Sequence, residues 1–412
     1  MADTLPRDIL LAIYRAALAR VDGRRAVAQW LRDHPLAAGA WRVIALGKAA
    51  SAMMLGARDI LGTRLTSGLV ITKDGHADVE VEADAHLAIH YAEHPWPGEG
   101  SLRAGRALTE FIDVSPADAR LLFLISGGAS SLVEVPVEGV DLAFLRQAND
   151  WLLASGLAID EVNRVRQRLS RLKGGGLRHY LDGRQALALV ISDVPGDDPR
   201  AIGSGPLAEP LPGLPAGLPD WLTARVGSAL GAPDAVPAVP HHLVASLEQA
   251  LVAAEAAASA YGLRVVRMSE PLSGDAALAG QTLAEVVCAA PPGISLWGGE
   301  TTVALPEAPG RGGRNQQLAL AAARALAGRD DCWFLSAGTD GTDGPTEDAG
   351  ALVDGGTVAR GRAQGLDPEA ALLGADAGRF LEASGDLIHT GPTGTNVTDL
   401  VIALRIGHGE AG

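Results

Sequence analysis

Apolar residues along this chain fall into short unbroken runs separated by amphipathic stretches, and the alternation repeats over most of its length. The opening stretch, Leu5 to about Arg32, places Ile9, Leu10, Ile13, Ala17 and Leu18 at helical spacing and predicts helix. Val43–Leu46 then reads as a strand running into a helix over Ala49–Leu61. Further strand-like runs follow at Leu69–Thr72, Leu87–His90, Leu121–Ile125 and Ala186–Ile191. Continuous apolar strands flanked by amphipathic helices predict an α/β fold with mostly parallel sheets, covered on both faces. Between Leu207 and Pro240 the composition shifts to Pro, Gly and Ala, with a short helix predicted over Trp221–Leu230. Beyond it, His242–Tyr261 reads as an Ala-rich helix, and Leu263–Val266, Ser295–Trp297, Trp333–Ser336 and Leu400–Leu404 form a second α/β series. The expectation is two α/β domains, 1–235 and 241–412, with the active site in the interdomain cleft at the C-terminal strand ends.

Composition narrows this picture. The length of 412 residues allows two or three domains and a substantial core. With 47% apolar residues and only 4% aromatics, that core is aliphatic, which suits α/β layers better than a β-sandwich. Cys288 and Cys332 lie far apart and offer neither a disulfide framework nor a zinc-ligand pattern. No apolar run approaches membrane-spanning length, and Met1–Asp8 lacks the regions of a signal peptide, so a cytoplasmic address is expected. A net charge of −15 argues against a nucleic-acid surface. Any phosphate ligand must therefore be attracted by local cations.

Several glycine-rich loops follow apolar runs and are candidates for holding an anion. Gly298-Gly-Glu-Thr-Thr-Val leads to Gly310-Arg-Gly-Gly-Arg-Asn-Gln-Gln at a helix start, where glycines, partial positive charge, Arg311 and Arg314 suit phosphate. A tight hairpin entering a helix is the plainer alternative. Gly47-Lys48 resembles the end of a P-loop, but Arg42 stands where its first glycine belongs and Ala49 follows the lysine. The same turn is a degenerate dinucleotide fingerprint with Ala45 and Ala50 in glycine positions and Asp74 near the next strand end. What survives is a lysine at a strand-to-helix turn. Ser126-Gly-Gly-Ala-Ser-Ser131 has amides and hydroxyls to cup an oxyanion, without the Gly-x-Ser-x-Gly elbow of a serine nucleophile. Lys173-Gly-Gly-Gly176, after a helix containing Asn163, Arg164 and Arg166, is either a helix cap or an anion loop.

Two acidic loops also follow strands: Ser192-Asp193-Val-Pro-Gly-Asp197-Asp198, and Gly338-Thr339-Asp340-Gly-Thr-Asp343. Their carboxylates suit a magnesium ion or proton acceptance from an attacking hydroxyl, with Asx-turns as the alternative. Thr390-Gly-Pro-Thr-Gly-Thr-Asn396-Val-Thr-Asp399 is dense in donors, and His94 sits in the unusual setting Glu93-His-Pro-Trp-Pro-Gly. Acidic loops, anion-cupping loops and cations together point to phosphoryl transfer.

The ordered series of these motifs resembles the class II glycerate kinases, the glycerate 2-kinase family with a C-terminal MOFRL domain. It runs through Leu46-Gly-Lys-Ala, His94-Pro-x-Pro, Ser126-Gly-Gly, Asn163-x-Val-Arg166, Lys173-Gly-Gly-Gly, Ser192-Asp-Val, Gly203-Ser-Gly-Pro, Gly298-Gly-Glu-Thr-Thr-Val, Gly312-Gly-Arg-Asn-Gln and Gly391-Pro-Thr-Gly-Thr-Asn-Val-Thr-Asp-Leu. The resemblance implies ATP-dependent phosphorylation of D-glycerate at its 2-hydroxyl, with Mg2+ or another divalent ion. It implies Lys48 and Arg314 as cations at the transferring phosphate and Asp193 as the carboxylate near the attacking hydroxyl. Phosphate and nucleotide would be held by Ser126, Gly127, Gly128, Ser130, Ser131, Gly312, Gly313, Gly338, Thr339, Thr395 and Asn396, with Asp340 and Asp343 near metal. Departures are Ala129 where a third glycine is usual, Gly98 where an Asp is usual, and Gly374-Ala-Asp376 in place of an Asn-Asp pattern. A homodimer fits a cytoplasmic enzyme of this kind. Two other readings stay open: an NAD(P)H-dependent hydroxypyruvate reductase, and a non-catalytic sensor of a phosphosugar or nucleotide.

Overall fold

The computed structural model describes residues 5–226 and 238–407. It divides into two units: Asp22–Ser246 with Gly394–Asn396, here the N-terminal unit, and the helix Pro6–Val21 with Leu247–Thr393 and the stretch from Val397 on, here the C-terminal unit.

The N-terminal unit is built on six strands: β1 (Trp41–Leu46), β2 (Leu65–Lys73), β3 (Leu87–Ala92), β4 (Arg120–Ile125), β5 (Gln185–Ile191) and β6 (His241–Ala245). They lie in the order β3-β2-β1-β4-β5-β6, and all five pairings are parallel. This is the doubly wound arrangement that unbroken apolar strands predict, and Ile44, Leu46, Ile71, Phe123 and Ile125 are buried in its core. β6 occupies the start of the predicted helix His242–Tyr261; the helix itself is Leu247–Ser259, in the other unit. Of the predicted helix Trp221–Leu230, the structure forms Asp220–Thr223, closed by Ala224; residues 227–230, and the boundary at 235, lie outside the described residues.

The C-terminal unit carries β7 (Val265–Arg267), β8 (Gly293–Gly299), β9 (Cys332–Gly338), β10 (Gly350–Asp354), β11 (Leu387–Ile388) and β12 (Asp399–Arg405), ordered β11-β10-β9-β12-β8-β7. The α/β class holds here too, but only β7–β8 is parallel and the other four pairings are antiparallel. The cause is the last strand. β8 and β9, joined through the helix Arg314–Leu326, run in the same direction, as strand–helix–strand patterning implies, and β12 inserts between them antiparallel to both. A strand buried on both faces is apolar throughout whichever way it runs, so its direction is invisible in the sequence.

The opening helix Pro6–Val21 belongs to this unit rather than to the N-terminal one, a correction to the domain expectation of 1–235. Its buried face is Leu10, Ile13, Tyr14, Ala17 and Val21, and the Tyr14 hydroxyl donates to Gly338 O at the end of β9 (2.6 Å). Tyr14→Phe leaves that carbonyl without its partner and is expected to cost about 1–3 kcal/mol, read from urea unfolding.

Candidate active site

An open parallel sheet places ligands where its winding reverses, outside the carboxyl ends of the strands. In the N-terminal unit that point lies between β1 and β4. The loops leaving these two strands are tied to each other. Ser126 N donates to Leu46 O (2.9 Å), Lys48 N to Gly127 O (2.9 Å) and Ala49 N to Ser126 Oγ (3.0 Å). Ser126 is fully buried and serves as a brace between the loops, not as the phosphate donor the sequence nominates. The bracing also settles the dinucleotide fingerprint. A bound pyrophosphate takes its hydrogen bonds from amides at this strand-to-helix turn. Here Gly47 N goes to Ile71 O, Lys48 N to Gly127 O, Ala49 N to Ser126 Oγ and Ala50 N to Gly47 O. Residues 47–50 have no amide left to give.

What the bracing does achieve is to gather side chains. Gly127 presses on the loop after β5, and a Cβ built on it would overlap the Asp193 carboxylate and the Asn396 amide. Asn396 Nδ2 donates to Asp193 Oδ2 (3.3 Å). Asn396 reaches this place because Gly394–Asn396 forms part of the N-terminal unit. At Gly128, φ 84°, a Cβ would stand 3.1 Å from Lys48 Cγ and 3.2 Å from His94 Cδ2. Lys48, His94, Asp193 and Asn396 therefore surround one pair of glycines. Asp198, on the same acidic loop as Asp193, is engaged with Arg200, whose hydrogen bonds hold its pKa below the usual carboxylate range.

A cavity of about 280 Å³ opens beside these residues. Asp193, His94, Gly128, Ser130 and Ser131 line it together with Glu134, Asn163, Arg166, Lys173 and Ser204. The glycines of Lys173–Gly176 are not an anion cup: Gly174 N donates to Ser204 O (3.0 Å) and Gly175 N to Gly205 O (2.8 Å). This pairing fixes Ser204, held at φ 62°, a left-handed conformation that costs a non-glycine residue on the order of 1–3 kcal/mol. Ser204 Oγ in turn donates to Asn163 Oδ1 (3.0 Å) and meets Ser130 Oγ (2.8 Å). The sequence marks Asn163 and Arg166 only through their motif, and nothing in it singles out Glu134.

In the C-terminal unit the helix start expected to hold phosphate is already capped. Asp343 Oδ1 accepts from Asn315 N (3.1 Å) and its Oδ2 from Gln316 N (2.8 Å), satisfying the first amides of Arg314–Leu326. Gly313 is small because Asp343 packs on it, and Gly312 lies against residues 377–378. The Asn-Gln-Gln run is internal scaffolding: Asn315 Oδ1 accepts from Ser336 Oγ (2.7 Å), and Gln316 Nε2 donates to Thr346 Oγ1 (2.8 Å). Arg311 is held by Asp348 (3.0 Å) and Glu382 (2.7 Å). Thr339 is fully buried, with its hydroxyl donating to Thr398 O (2.7 Å) and accepting from Val397 N (2.8 Å). Gly338 closes β9, and its amide donates to Ala349 O (2.8 Å). Asp340 Oδ1 accepts from Thr342 N (3.0 Å), the Asx-turn alternative. Thr395, which belongs with Asn396 to the N-terminal unit, is buried, and its hydroxyl has no hydrogen-bond partner. Arg314 is partly exposed, next to Glu300 and 3.3 Å from Asp399.

Burial, helped by the charge of Asp399, pushes the Asp343 carboxyl up to about 7 despite the two backbone donors. From its ordinary value of 3.8 to about 7, the folded chain then binds a proton that the unfolded chain has released. The contribution of this group to stability therefore falls as pH rises through that window. The unfolding free energy of the parent relative to Asp343→Asn is expected to decline from about pH 4 to 7 and to level off above, checked by urea titrations across that range.

Residues 9–212 match a domain of unknown function (DUF4147), and residues 293–399 match the MOFRL family. A D-glycerate 2-kinase of Thermotoga maritima is 37% identical over 380 residues, which span 88% of this chain and 90% of that protein. The crystal structure of a glycerate kinase from the same organism superposes with a TM-score of 0.82 at 34% identity, over 97% of this chain and 99% of the other. The chain belongs to the glycerate 2-kinase family. Within that family the labels differ, since a putative hydroxypyruvate reductase of Agrobacterium vitis is 37% identical over 98% of this chain and 95% of its own. The occupied amides at residues 47–50 bear on that difference, because they remove the pyrophosphate seat that a nicotinamide cofactor uses in this fold. Among the described residues, no helix is long and apolar enough to cross a membrane.

Proposed function

We propose that this protein transfers the terminal phosphoryl group of ATP to the 2-hydroxyl of D-glycerate, giving 2-phosphoglycerate and ADP. The observation that supports the reading most strongly is the convergence of Lys48, Asp193 and Asn396 on Gly127 and Gly128 at the switch point of a doubly wound sheet. Phosphoryl transfer asks little covalent chemistry of a protein; it asks for alignment and charge neutralisation. Asp193, oriented by Asn396, accepts the hydroxyl proton or orients the hydroxyl for attack. Lys48 offsets negative charge on the transferring group. Ser130 and Ser131, just past the Gly127–Gly128 pair, line the cavity, with their hydroxyls donating to Ser204 Oγ and Gly128 O, and each would turn to donate to a phosphate.

The nucleotide brings a requirement for Mg2+ into this reading. Among the described residues, no group of three or more His, Cys, Asp or Glu side chains is arranged to hold a metal. That fits magnesium, which binds through one or two carboxylates, waters and the substrate's own phosphates instead of a protein cage. Asp340 is the candidate carboxylate; Asp343 is not, because its oxygens cap a helix. The ion supplies charge neutralisation on the phosphates when bound.

The test is glycerate-dependent ADP formation. Purified protein with ATP, Mg2+ and D-glycerate should release ADP well above a control without glycerate, and hydroxypyruvate should not oxidise NADH in its presence. ADP at the control level would end the kinase reading, and NADH oxidation would restore the reductase.

A further inference from the structure

The cavity beside Asp193 has a charge pattern that the phosphotransfer chemistry alone does not require. Arg166 is half-buried on its wall, and its Nε donates to Asn149 Oδ1 (2.9 Å). Among the described residues no carboxylate stands within ion-pair distance of it, unlike Arg200, Arg311 and Arg360. Burial of the guanidinium holds its pKa below the usual value, and the charge of nearby Glu134 offsets this only in part. Both terminal nitrogens of its fork are suited to a planar carboxylate.

Glu134 has the complementary irregularity. It is 3% exposed, its Oε2 accepts from Lys173 Nζ, and its Oε1 is buried with no hydrogen-bond partner. Buried carboxylate oxygens almost always have a donor, so one is missing here. A carboxylate oxygen accepts only, and it repels a second carboxylate; the group it fits is a hydroxyl. Glu134, Arg166 and Lys173 sum to one positive charge, which balances one carboxylate better than a doubly charged phosphate. Asn163, its Oδ1 engaged by Ser204, adds an amide to the lining, and Leu145, Leu152 and Leu169 add apolar surface.

We infer that this cavity is the acceptor subsite, in which Arg166 binds the carboxylate of a short hydroxy acid and Glu134 Oε1 accepts a hydrogen bond from its 3-hydroxyl. The inference rests on the kinase reading only for the identity of the acid. With the two ends so fixed, the 2-hydroxyl is the function left for Asp193, which lines the same cavity. Arg166 and Glu134 are specificity-determining residues in this account, and the hydroxyl contact makes 3-deoxy acids poor ligands.

Calorimetric titration of the purified full chain, independent of turnover, tests this. D-glycerate should bind, and D-lactate, which differs by the missing 3-hydroxyl, should bind about a hundredfold more weakly, the weight of one hydrogen bond to a buried charge. Arg166→Met should weaken D-glycerate by a similar factor while leaving the melting temperature unchanged or raised, because it removes a cation whose burial Glu134 offsets only in part. Glu134→Gln in a Lys173→Met background, which strands neither partner, should narrow the preference for glycerate over lactate. D-lactate bound within a few-fold of D-glycerate would overturn the hydroxyl contact. Unchanged glycerate affinity in Arg166→Met would overturn the carboxylate contact. Failure of the kinase reading shows separately, as glycerate bound without ADP release.

Discussion

Asp193→Asn is expected to lower kcat for phosphoryl transfer to D-glycerate by about 10²–10⁴-fold, the range for removing a positioned general base. The substitution is nearly isosteric. Asp193 is half-buried at the end of β5, its Oδ2 is 3.3 Å from Asn396 Nδ2, and it lines the cavity. An amide keeps the shape but cannot take a proton, so KM and melting temperature should move little while kcat falls. Lys48→Ala should cost about 10²–10³-fold through lost charge neutralisation. Steady-state kinetics with saturating ATP reads both. An Asp193→Asn enzyme within threefold of the parent would remove that carboxylate from the chemistry.

Gly127→Ala is expected to reduce kcat by a comparable factor, about 10²-fold or more, with a small change in stability. The new methyl group would occupy the space of the Asp193 carboxylate and the Asn396 amide. Both obstacles are the far ends of side chains, so the fold can yield by turning them away. Gly127 has no positive φ to strain. The cost therefore falls on the site, because a carboxylate displaced by an ångström no longer meets the hydroxyl. Gly105→Ala is the contrast: there the methyl group would meet the backbone carbonyl of Glu134, and the expected loss is in melting temperature. If Gly127→Ala melts far lower than the parent yet keeps kcat when folded, Gly127 serves the fold alone.

These expectations show where the sequence is informative and where it is silent. Unbroken apolar strands followed by helices determine a parallel doubly wound sheet, and the N-terminal unit is that sheet. The same signal cannot reveal that β12 enters antiparallel between β8 and β9, because burial on both faces removes the directional cue. Nor does an amphipathic opening helix state which unit its apolar face will cover. For the site, Lys48 and Asp193 could be nominated because a charged residue just beyond an apolar strand stands at the strand's carboxyl end. Glycine-rich helix starts were less informative. Small residues permit a close approach by an anion, but equally by another loop or a capping carboxylate. Ser126, Gly313 and Thr339 turned out to sit at such protein–protein approaches. Arg166 and Glu134 were illegible for a different reason: their significance lies in partners they lack, and only a three-dimensional count of neighbours exposes that.

The position of the transferred phosphate tests the central claim most directly. The product formed from ATP and D-glycerate is to be examined by proton-coupled phosphorus NMR. Attachment at the 2-hydroxyl gives a doublet from the single proton on that carbon, and this is the result expected. A triplet, from the two protons of a 3-phosphate, would mean that the acceptor lies the other way round in the cavity, and it would contradict the roles given to Asp193 and Glu134 together.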